Sequence, residues 1–110
     1  DVVPGTGKAC TGNIDKVMQR YSDGVAVVGW GWDLTKKDVV AHVLIVDAKQ
    51  MVVGVGETGV PRPDVNQAKP EITSTTTGWR AALPLTSGAV DAFALTDADK
   101  AVCPLGHLDF

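Results

Sequence analysis

"VAVVGWGWD", residues 25–33, is the stretch on which the fold turns. It carries no charge before its last residue, and it mixes valines, glycines and two tryptophans in the manner of a strand. Side chains two apart in a strand share a face. Ala26, Val28, Trp30 and Trp32 therefore line one side, and Val25, Val27, Gly29, Gly31 and Asp33 the other. The first side holds the bulk and reads as core-facing. The glycines opposite leave room for another backbone or a ligand. Trp79 heads a second apolar alternation with Ala81, Leu83 and Leu85. Packing is the plain reading of all three tryptophans. The rival is a solvent-facing platform for a sugar ring, at Trp32 on its strand end or at Trp79.

Outward from this strand, similar short runs recur at 13–22, 41–47, 50–58, 78–85, 89–96 and 101–107, with Gly, Pro, Asp and Lys between them. The pair 41–47 and 50–58, around "DAKQ", is the clearest hairpin. One long Pro-rich connection, 59–77, interrupts the series, and 64–76 has room for a helical turn or two starting at Asp64 as N-cap. The spacing predicts an all-β fold, an antiparallel sandwich or barrel of about seven strands. We read it as a β-sandwich, immunoglobulin-like or jelly-roll-like. Residues 1–9 form an opening segment, 10–107 a single domain and 108–110 a C-terminal tail.

A chain of 110 residues, 45 % apolar and 21 % charged, has enough material for one core. Its net charge is −3 and no basic run exceeds Lys36-Lys37, which argues against nucleic acid as a partner. No apolar run is long enough for a membrane helix. Asp1 opens the chain without an initiator Met or signal peptide, as in a piece processed or excised from something longer. Cys10 and Cys103 lie near opposite ends, with neither CxxC nor metal spacing. Two free thiols are one reading. A disulfide tying the first strand to the last is the one we favour, and it implies a periplasmic or secreted setting.

Catalytic motifs are scarce. "PGTGKA" (4–9) resembles a phosphate loop, but Val2 and Ala9 occupy the positions that need glycine and a hydroxyl. No G-x-S-x-G elbow surrounds Ser22, Ser74 or Ser87, and His42 and His107 read as surface histidines. Asp97 and Asp99 have a D-x-D spacing without the rest of a calcium loop, so a turn is expected. No cofactor or metal site is expected. The most unusual segment is "GETGVPRPDV" (56–65), where two prolines hold Arg62 extended beside Asp64. Arg62 and Asp64 either anchor the loop by charge-assisted hydrogen bonds or form a rigid binding loop. With Asp33, Trp32 and Trp79 they make up the ligand-binding candidates.

The order of the pieces at 10–15, 28–33, 43–65, 77–80 and Cys103, above all "G-x-P-R-P-D-V", resembles a soluble domain found at the ends of polytopic bacterial membrane proteins of glycosyltransferase type. That resemblance implies a periplasmic accessory domain of an envelope protein engaged in surface-glycan assembly, with no catalytic residue of its own. The expected function is accordingly non-enzymatic interaction, the partner being the parent membrane protein or an envelope glycan. The alternatives are a carbohydrate-binding module using an exposed Trp with Arg62 and, behind it, a small glycan hydrolase.

Overall fold

The computed structural model describes residues 10–34, 36–95 and 102–110. The strands are β1 (Cys10–Arg20), β2 (Val25–Asp33), β3 (Asp38–Val39), β4 (His42–Asp47), β5 (Val52–Val60), β6 (Gly78–Leu83), β7 (Ala89–Leu95) and β8 (Val102–Asp109). Among the described residues one helix, α1 (Pro63–Ala68), is found, in the long connection. The all-β antiparallel expectation holds, and so does the β4–β5 hairpin, whose turn has Gln50 at positive φ and Asp47 Oδ1 accepting from the Lys49 and Met51 amides. Between sandwich and barrel, the strands take a nearly closed, barrel-like sheet in the order β1-β2-β6-β5-β4-β7-β8, with β3 added beside β2. Strand β8 runs to Asp109, and Phe110 exchanges backbone hydrogen bonds with Gly88, so residues 108–110 continue the sheet rather than trail from it. Residues 1–9 and the Asp97–Asp99 turn lie outside the described residues.

The interior of β2 is the reverse of the expected one. Cross-strand partners project to the same side. Val25 faces Leu83, Val27 faces Ala81 and Gly29 faces Trp79 on β6, and all these larger residues belong to the main core. The bulk that fills the barrel behind Gly29 comes from Trp79, whose ring occupies the place a Cβ on Gly29 would take. The same ring lies in contact distance of Gly56, where Val43 also presses in. A glycine face, empty in the sequence of β2 alone, is thus where a neighbouring strand puts its largest side chain. Trp30 and Trp32 point outward, and a second small core of Trp32, Val65 and Ile72, with Trp30 and Val39 against it, covers them from the long connection.

Helix α1 has its N-cap two residues earlier than expected. Arg62 holds the N-cap position, Pro63 starts the first turn and Asp64 lies within it. Proline suits that place because its fixed φ is already helical and it has no amide to leave unpaired.

The path β1-β2-β6-β5-β4-β7-β8 contains an odd number of strands, all antiparallel to their neighbours. Its two end strands must therefore run parallel to each other. Cys10 stands beside Cys103, Leu105 against Gly12, and Gly106 against Asn13 and Ile14. Among the described residues no hydrogen-bonded ladder joins β1 to β8. Side-chain packing and the Cys10–Cys103 disulfide, expected from the sequence, close the seam instead.

Candidate functional site

The geometry of the 56–65 segment starts from a defect in β1. The β1–β2 register shifts between Ile14 and Lys16 and again between Val17 and Gln19, which makes Asp15 and Met18 the extra residues of two bulges. A bulge re-aims the side chain it carries. Asp15 Oδ2 accepts a 2.6 Å hydrogen bond from Arg62 Nη1, and Asp15 Oδ1 accepts from Asn13 Nδ2 at 3.0 Å. Arg62 also grips Asp64 with two parallel bonds, Nε to Oδ1 at 3.0 Å and Nη2 to Oδ2 at 2.9 Å. Its backbone amide donates to the Thr75 carbonyl at 2.6 Å. The hydrogen bonds that Arg62 donates to Asp64, then the one it donates to Asp15, raise the guanidinium above its ordinary value against the opposing effect of burial, and Arg62 in turn lowers the Asp64 carboxyl. Bidentate Arg–carboxylate pairs of this kind fix geometry as well as charge. Arg62 ties the connection to β1.

The five candidate residues do not converge on one surface. Trp79 is 0 % exposed inside the barrel and Trp32 3 % exposed beneath the connection. Asp33 is buried at the end of β2 on the interior side, where Oδ1 accepts from the Lys36 amide at 3.0 Å. Arg62 and Asp64 meet directly, and Trp79, buried behind Gly29, backs the same groove that they line. The half-buried tryptophan is Trp30, which borders a groove of about 220 Å³ with Arg62, Asp64, Val65, Ala68 and Lys69.

A second surface went unread in the sequence. On the outside of β1, β2, β6 and β5, Ala26 faces Ala82 and Val28 faces Arg80, with Glu57 across from Arg80. Met18 and Tyr21 stand exposed on one flank, at 45 % and 51 %, and Val55 on the other at 59 %. Between them is a recess of about 370 Å³ floored by the two alanines. A larger open groove of about 580 Å³ continues past Met18 and Val28 towards Arg62. The signal for this face was present in principle, since Ala26, Val28 and Ala82 alternate with core residues. The bulge that turns Met18 outward has no mark in the sequence.

Sequence reasoning also missed a cluster on the opposite wall. His107 Nδ1 lies 2.8 Å from Asp91 Oδ1 on β7, and Nε2 lies 3.0 Å from Asp109 Oδ1 on its own strand. Asp91, then Asp109, raises the imidazole above its usual value. The i, i+2 spacing of His107 and Asp109 was legible, whereas the Asp91 pairing needed the β7–β8 register. Among the described residues no group of three or more His, Cys, Asp or Glu side chains is placed to hold a metal ion, and no helix is long and apolar enough to cross a membrane. Compared with family models, with curated proteins and with solved structures, the chain finds no match.

Proposed function

We propose that this chain is a non-enzymatic interaction domain working outside the cytoplasm, an accessory module of a larger envelope protein. The observation that carries the reading is the outer face of β1-β2-β6-β5, where Met18, Tyr21 and Val55 stand exposed around a floor of alanines. Of the large apolar side chains exposed among the described residues, Met18, Tyr21 and Val55 gather here, while Leu34, Met51 and Val52 stand elsewhere. Such a gathering around a recess marks a surface that something else covers. The disulfide supports the compartment, because such bonds persist where the surroundings oxidise. Arg62 and His107 are held by carboxylates of the chain itself, which suits structural roles better than attack on a substrate. A closer tie to glycan assembly rests on the sequence resemblance alone.

The test is a photoreactive residue placed at Val55 and, as control, at exposed Lys49 in the β4–β5 turn, in the cells that make the protein. An adduct of one defined mass from position 55, absent from 49, supports the reading. Equal labelling at both positions, or none at 55, overturns it.

A second reading is favoured by Trp30. Its half-buried ring beside Arg62, Asp64 and Lys69 has the aromatic-plus-polar make-up of a sugar subsite. In that case an envelope oligosaccharide should shield Trp30 from acrylamide quenching, and Trp30→Phe should remove the response.

A further inference from the structure

We infer that the outer face of β1-β2-β6-β5 docks a second copy of the same chain about a two-fold axis passing beside the Glu57–Arg80 pair. The inference rests on the interaction-domain reading and names the partner of that surface. A two-fold interface uses one patch on both sides, so the patch must be its own complement in charge and in shape. This patch meets both conditions.

In charge, Glu57 and Arg80 lie opposite each other on neighbouring strands, 3.8 Å apart and largely exposed. They give the β5–β6 part of the face one anion and one cation, with a second cation, Lys16, farther out on β1 opposite Val28. Rotated by half a turn about an axis running between β5 and β6, the carboxylate of each copy meets the guanidinium of the other, while Lys16 lies away from the axis. In shape, Val55 stands 59 % exposed on one side of the recess floored by Ala26 and Ala82. Side chains of one methyl group make the floor low enough to receive the Val55 of the opposite copy, while Met18 and Tyr21 close around it. An apolar centre with a paired polar rim is the ordinary anatomy of a protein interface. A different partner would need to mirror both the charge pair and the ridge, which a second copy does automatically.

Sedimentation velocity on the purified, oxidised chain tests this from micromolar to millimolar concentration. The expected result is a rise from one chain mass to two. Glu57→Arg and Arg80→Glu should each weaken association by ~tenfold or more, since like charges then face each other across the axis. Mixed in equal amounts, the two variants should recover the two-chain species, because the cations of one meet the anions of the other. An intramolecular role for the pair cannot produce that rescue. Circular dichroism of each variant separates loss of association from loss of fold. A wild-type chain that stays single at every concentration, or a mixture no better than its components, overturns the inference. The cross-link at position 55 then tells the two failures apart. An adduct of some other mass leaves the interaction-domain reading standing with a different partner, and no adduct removes both.

Discussion

A few side chains hold positions that a neighbour of unlike size would destroy. Gly29 is the clearest. A Cβ there would collide with the Asn13 carbonyl and with the Trp79 ring, and both are fixed by the barrel around them. Gly29→Ala should therefore destabilise by ~1–3 kcal/mol, the ordinary cost of overpacking. Chemical denaturation should show a lower midpoint with unchanged slope. His107 gives a prediction of different kind. With both ring nitrogens protonated it donates to Asp91 and to Asp109, so its folded pKa lies above the unfolded one. Its contribution is complete below the unfolded value of about 6.5 and fades as pH rises through the folded value. The thermal midpoint of the wild type should fall as pH rises above the unfolded value of about 6.5, and His107→Gln should flatten that segment of the curve. The site at Arg62 was half legible at this scale. "PRPD" announced a rigid Arg–Asp pair, but its third member, Asp15, is aimed by a bulge that no residue type signals.

At the scale of elements, the long connection and the seam carry the unusual energetics. The connection is pinned at Arg62 and seated by Val65 and Ile72 on Trp32. Arg62→Ala removes three charge-assisted bonds from a side chain that is about one-quarter exposed. A loss of about 1–2 kcal/mol is expected, discounted for solvent screening. Trp30 and Trp32 should also become more accessible to acrylamide, with Trp79 unaffected. The seam has a larger effect. Replacing Cys10 and Cys103 together with Ser reopens a loop of 93 residues, worth up to ~4–5 kcal/mol on the chain-entropy model. Hydrogen exchange should locate the damage. Protection should fall most in β1 and β8, which lack a ladder between them, and least in β6, which has a paired strand on each side.

For the whole molecule, strand periodicity made the all-β class and most strand positions legible, because alternation is local. The face of "VAVVGWGWD" that looks inward was not, and the reason is physical. A strand's own bulk does not decide its interior side when a neighbour supplies a larger residue, and here Trp79 and a covering helix reversed the choice. The insertion of β6 between β2 and β5 is equally non-local. The parallel seam has a consequence for a domain tethered at its ends. Tension entering before Cys10 and leaving after Cys103 passes directly from one sulfur to the other. The strands between them carry no load. Pulled in a force spectrometer, the oxidised chain should lengthen only by what lies outside the bridge, as β8 peels from β7 beyond Cys103. The full contour should appear only after a reductant has cut the bond. The strands enclosed by the bridge are thus built as a body that hangs beside its own tether, staying paired with one another while the line past them is taut.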